Sequence, residues 1–214
     1  MRKVIGDMSD WNTHIHCANI VNKELKFSGK DLDLFLYGNL LPDVNMGWII
    51  APEVRLEQAD THFDGMGQEY FWAPLRFYDK YKDEINKRNP IYLGYMFHLW
   101  MDVCFMSDFV SRIPMSEMID KRYEVREIKW KDAAVYIKDY RHELSSDNID
   151  EIVEAARGID EVQLVKSDLL KVADYVNAGA SEYDGGDYRV YTTDEFDKFY
   201  EKTCQDFIKW VLAR

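Results

Sequence analysis

The sequence predicts an all-α fold, a helical bundle with additional C-terminal helices. Three observations predict it. Apolar residues recur at helical spacing along most of the chain, and no alternating strand period persists. The longest apolar run, Ile91 to Phe105, reads as one buried helix. That run also carries His98 and Asp102, four residues apart and therefore on one helical face.

The first helix begins near Asn12 or Thr13, where Ala18, Val21 and Leu25 form an inward stripe. A second runs from about Asp31 to Leu41, with Ser28 and Asp31 as its cap and Pro42 as its stop. Residues 43–67 hold three glycines and no sustained period, so they read as a long irregular connection. Such a connection inside a compact domain is more often functional than idle. The third helix covers about Gln68 to Lys87, with Phe71, Trp72, Leu75 and Tyr78 on one side. Asn89-Pro90 opens the fourth, which is the apolar run and continues to Arg112 before Pro114. A charged fifth helix covers about Glu117 to Leu144, a turn follows at Ser145 to Asn148, and two further helices cover about 149–156 and 160–177. Residues 179–192, with three glycines and three tyrosines, read as a loop or small hairpin. Thr192 and Glu195 suit a capping box for a last helix reaching Trp210. No repeat or linker divides the chain, which reads as a single all-α domain over 1–214. Within it, residues 1–115 are rich in aromatics and histidine, and 116–214 form a helical extension or cover.

Composition narrows the function. The chain has 214 residues, 47% of them hydrophobic, and a formal net charge of -12. Such a charge repels a polyanion, and no Lys/Arg run stands clear of acids, so long nucleic acids are not expected partners. The three cysteines are far apart and include no CxxC pair, which fits small buried hydrophobes in a reducing compartment. The start, MRKVIGDMSDW, has basic residues without an apolar core segment, and the apolar run is shorter than the ~20 residues a membrane span needs. A soluble, cytoplasmic protein is expected. The mixed-charge helices over 117–178 are candidates for covering a site, for pairing with a second copy as a homo-oligomer, or for binding a partner.

The histidines carry the chemistry. His98 and Asp102 could meet one cation, since imidazole nitrogen and carboxylate oxygen are both zinc donors, or they could satisfy each other as a buried hydrogen-bonded pair. Asp43 follows Pro42, where a carboxylate can turn into a cavity or simply sit in a turn. His62 lies between two acids in the irregular segment. His14 and His16 point about 200° apart on a helix, so one ion does not take both. His14 shares the inward stripe, whereas His16 shares its side with Asn19 and Lys23 and should face water. His142 suits a helix end, where a cation complements the dipole. Three histidines and two aspartates, on helices and connections of one half, could converge in a bundle interior, where metal sites are commonly built.

The words THIHCAN, GNLLPD, THF and GYMFHLWMD, in this order and at these separations, resemble the zinc-dependent phospholipase C family, which shares its fold with fungal zinc nucleases. The resemblance covers about residues 11–110. It implies an all-α bundle with metal at its centre. One zinc ion would lie on Asp43, His62, His98 and Asp102, and Asp102 would bridge to a second metal held by His14. The Thr-His-x-x-x-Ala pattern again selects His14 over His16. Family members also have a further metal site built from two histidines and a glutamate downstream. This chain has no histidine between Asp102 and His142, and Asp108 is the nearest substitute.

The implied activity is metal-dependent hydrolysis of a phosphoester by zinc-activated water, on a small phosphoester or a phospholipid head group. Asp43 is the candidate catalytic general base. Two carboxylates cancel the charge of one zinc ion, and a second cation would supply positive charge for an anionic substrate. Trp11, Trp48, Phe63 and Tyr95 are candidates to line a pocket, or core residues. Two other readings use the same side chains: a catalytically inactive protein stabilised by its metal, and a helical binding module whose polar core holds no metal.

Overall fold

The computed structural model describes residues 10–63, 71–113, 122–179 and 190–214. Among them are ten helices and no strand: α1 (Trp11–Leu25), α2 (Lys30–Gly38), α3 (Leu41–Val44), α4 (Gln58–Thr61), α5 (Ala73–Asn86), α6 (Pro90–Arg112), α7 (Arg122–Ile137), α8 (Ile149–Ala156), α9 (Lys166–Asn177) and α10 (Thr193–Leu212). The expected all-α class is observed. No helix among these residues is long and apolar enough to cross a membrane.

The centre of the fold is α6. Pro90 occupies its first turn, where a missing N–H costs nothing. Its first half, Ile91 to Leu99, is buried all round, as expected of a helix with neighbours on every side. Helices α2, α5, α3, α1, α10 and α8 pack against it, and α7 packs on α1. The buried apolar cluster runs through both halves of the chain, from Trp11 and Phe35 to Tyr200 and Phe207. Cys17 and Cys204 are buried between α1 and α10, and Cys104 is half-buried; all three are free thiols.

The contact between α2 and α6 is a backbone contact. A Cβ on Gly94 would fall on the Phe35 carbonyl oxygen, and one on Gly38 would fall on the Ile91 carbonyl oxygen. Only glycine at both positions lets the two helices approach so closely.

Several expected elements change. Helix α2 ends at Gly38, and Pro42 does not stop it; instead Pro42 lies in the first turn of α3, so Asp43 sits inside a short helix. The cap of α2 is Gly29, with φ 53° and no side-chain bond, not Ser28 or Asp31. The segment expected to be irregular contains α3 and α4. Phe71, Trp72 and Leu75 face outward at 47%, 57% and 42% exposure, and α5 buries Ala73, Phe77 and Ile85 instead. The helix expected over 160–177 begins at Lys166, and that expected to reach Leu144 ends at Ile137. The expected start of the third helix at 68–70, the segment 114–121 and most of the 179–192 loop lie outside the described residues. The capping box forms as expected: Thr192 Oγ1 accepts from the Glu195 N–H, and Glu195 accepts from the Thr192 N–H.

Because its methyl group would meet backbone and not a flexible side chain, Gly94→Ala is expected to destabilise the protein by about 1–3 kcal/mol. Urea unfolding followed by circular dichroism would register this as a lower midpoint at unchanged slope.

Candidate metal centre

Four elements deliver five polar side chains to the interior. Helix α1 supplies His14, α3 supplies Asp43, the residue capping α4 is His62, and α6 supplies His98 and Asp102. All five are buried.

His62 Nε2 lies 3.3 Å from His98 Nε2, 3.4 Å from Asp43 Oδ1 and 3.7 Å from Asp102 Oδ2. His98 Nε2 lies 3.8 Å from Asp43 Oδ1 and 3.2 Å from Asp102 Oδ2. Tetrahedral zinc, with bonds of about 2.0–2.1 Å, separates its ligand atoms by roughly 3.4 Å. These five spacings scatter about that value. Asp102 Oδ1 turns the other way, to His14 Nε2 at 3.4 Å. The His14 ring stacks on His98 with centroids 4.1 Å apart. The sets His14, Asp43, His98 and His62, His98, Asp102 each keep their ligand atoms within 4.8 Å of one another and could hold a metal ion.

Hydrogen bonds behind the rings aim the nitrogens inward. His98 Nδ1 is 2.8 Å from the Asn39 carbonyl oxygen, to which only an N–H can donate, and this contact turns Nε2 to the interior. Thr61 directs its hydroxyl hydrogen to Met46 Sδ, and its oxygen lies 2.8 Å from His62 Nδ1. His62 Nδ1 is thus engaged by Thr61, and its Nε2 faces His98 and Asp43. Tyr95 donates to the Thr61 carbonyl and steadies that turn. Such partners behind the ligands fix imidazole tautomer and orientation at metal sites.

The inward-facing atoms are otherwise orphaned. Asp43 Oδ1, both oxygens of Asp102 and both ring nitrogens of His14 have no hydrogen-bond partner within the protein. A buried carboxylate without compensation is costly, and a cation beside His62 and His98 would satisfy Asp43 Oδ1 and Asp102 Oδ2. The electrostatics of the protein alone point the same way. Burial would push His98 down, but the charges of Asp102 and Asp43 override it and hold it at about 9. Burial would likewise raise Asp102, but His98 and His14 hold it well below the usual carboxylate range. His14 is pushed down by burial and by the neighbouring His98.

The structure thus brings together His14, Asp43, His62, His98 and Asp102. It leaves the other candidates elsewhere. His16, expected to face water, is half-buried against Tyr140 and His142, because the chain after α7 covers it. Asp108 accepts hydrogen bonds from Arg112 at 2.6 Å and Tyr191 at 2.9 Å, so its carboxylate is engaged in an ion pair and not in a further metal site. Among the aromatics, Trp11 and Tyr95 are fully buried, Trp48 lies against His62 at 6.5 Å, and Phe63 packs on Phe77. Asn39, Thr61 and Trp11 reach the site residues by hydrogen bonds that the sequence does not announce. Asn39 stands in the word GNLLPD and Thr61 precedes His62, but neither carries a ligand-type side chain. No family model, no curated protein and no solved structure matches the chain.

Asp10 accepts from the Asn12 N–H at the start of α1. Its other oxygen is buried without a partner, and burial, above all, pushes the carboxyl from 3.8 up to about 6. The folded state therefore holds this proton more tightly than the unfolded chain. The added stability is complete below about pH 4 and lost as pH rises through about 6.

Two outcomes are expected. A divalent cation that binds the centre should raise the melting temperature, with about 2.7 kcal/mol of added stability at a hundredfold excess over Kd, and a chelator should reverse it; His98→Ala should abolish the shift. Asp10→Asn, which keeps an accepting oxygen, should exceed the wild type in stability at pH 7 by on the order of 2 kcal/mol and match it below about pH 4, as read by urea unfolding at both pH values.

Proposed function

We propose that this protein is a zinc-dependent hydrolase of a phosphoester, of the phospholipase C type. Asp43, His62, His98 and Asp102 would hold the ion. The observation that carries the reading is the fifth donor. A purely structural zinc site is complete with four protein ligands. Here His14 and Asp102 Oδ1 form an additional facing pair at 3.4 Å, buried and otherwise unpartnered. That pair offers a second position beside the first, as a site would that binds more than one ion. The ordered words in residues 11–110 support the same reading.

A bound divalent cation would supply Lewis acidity at the phosphoryl oxygen and make water a better nucleophile near neutral pH. The chain's own residues do the rest. Asn39 and Thr61 hold the Nδ1 edges of His98 and His62, which turns their Nε2 atoms toward the place an ion would occupy. Asp43 Oδ1, which no protein donor satisfies, is the candidate acceptor of the proton from attacking water. Water adds to phosphorus, and the P–O bond to the departing alcohol breaks. A small phosphoester or a lipid head group suits the overall charge of -12 better than a nucleic acid does.

A second reading, an ion that only stabilises the bundle, draws on the spacings of 3.2–3.8 Å that join His62 and His98 to each other and to Asp43 and Asp102. Elemental analysis of untreated protein, followed by assay with bis(p-nitrophenyl) phosphate and added Zn²⁺ or Mn²⁺, tests both. Bound zinc and turnover that falls to background in His98→Ala/Asp102→Ala is the expected result. Equal turnover in the two proteins would overturn the hydrolase reading, and bound zinc without turnover would leave the stabilising ion.

A further inference from the structure

Asp43 does not have two oxygens to give. Its Oδ2 accepts a hydrogen bond from Trp11 Nε1 at 3.2 Å, and only Oδ1 faces His62 and His98. Trp11 is fully buried in the first turn of α1. A buried indole N–H needs an acceptor, and this is the one it has. Tyr175 of α9 meets the indole edge-on at 5.5 Å and 85°, and the Tyr175 hydroxyl bonds to Asp10 Oδ1 at 3.4 Å. The indole is thus held by Tyr175 as well as by Asp43.

Asp102 is divided in the same way. Oδ2 faces His98 and His62, and Oδ1 faces His14. As placed, each carboxylate turns a single oxygen toward the His62–His98 pair. That distinction separates cations: zinc takes four nitrogen or single oxygen donors at short range, whereas calcium takes six to eight oxygens and commonly grips carboxylates through both.

We propose that Trp11 is a positioning residue, whose indole N–H restricts Asp43 to a single oxygen donor and thereby sets the coordination number and cation preference of the centre. This rests on the metal-binding reading above. It also makes ligation and proton acceptance by Asp43 compete for one atom, Oδ1.

The test uses the full chain loaded with Co²⁺, whose visible absorption is intense when four-coordinate and weak when five- or six-coordinate. The wild type is expected to give the intense bands. Trp11→Phe removes the donor, frees Oδ2, and is expected to weaken the bands severalfold and lower zinc affinity about 10–100-fold. Trp11→Gln restores an N–H donor and should recover part of both. Bands and affinity unchanged in a folded Trp11→Phe protein would overturn the role of Trp11 while leaving the metal centre standing. A wild type that binds neither Co²⁺ nor Zn²⁺ would overturn the metal reading itself. Should the variants fail to fold, X-ray absorption at the zinc edge of the wild type decides. A single short nitrogen/oxygen shell supports the proposal, and an added longer carboxylate oxygen overturns it.

Discussion

The close approach of α2 to α6 at Gly38 and Gly94 is the contact on which the interior depends. With a side chain at either glycine the helices would have to separate. The Asn39 carbonyl, one residue past the end of α2, would then leave His98 Nδ1. Asn39 also reaches α1, where its side-chain amide donates to the His14 carbonyl at 2.8 Å. One residue at the end of α2 therefore ties together α1, which bears His14, and α6, which bears His98 and Asp102. The imidazole directions follow from backbone packing, not from flexible side chains alone.

The same interior concentrates charge that a hydrophobic core would exclude. Two carboxylates and three imidazoles share a buried space beside Trp11, which donates to Asp43, and Tyr95, which donates to Thr61. Each loses hydration on folding, and most of their inward-facing atoms recover no hydrogen bond within the protein. By contrast, two polar side chains that brace the fold elsewhere are fully engaged. Asp132 accepts from the N–H groups of Val190 and Tyr191, and Asn45 joins Val54 to Gln163. Five unsatisfied atoms on His14, Asp43 and Asp102 lie in the metal-type cluster, and that sets it apart from those two networks.

Helical spacing made α1, α6 and α10 legible, because each is long and carries caps or an apolar stripe that local chemistry explains. Helices α3 and α4 were not legible, since four residues are too few to show a period. On α5 the aromatic side reads as the inner one, yet Phe77 and Ile85 find the core and Trp72 does not; tertiary packing decides this, not composition. Among the site residues, the histidines and aspartates could be picked out by type and order. The roles of Asn39 and Thr61 could not, because they arise from a carbonyl and a hydroxyl brought in by packing. His16 was misread because the segment that covers it lies more than a hundred residues away.

Residues 14, 43, 62, 98 and 102 come together in two overlapping groups, although long stretches of chain separate all but the last two. A cation there would act on chain entropy much as a cross-link does, closing nested loops in a protein whose three thiols stay unbonded. It could close them only after the glycine contact had aligned His98. Capture of the ion would then come late in assembly, as a latch on a nearly finished bundle and not as its nucleus.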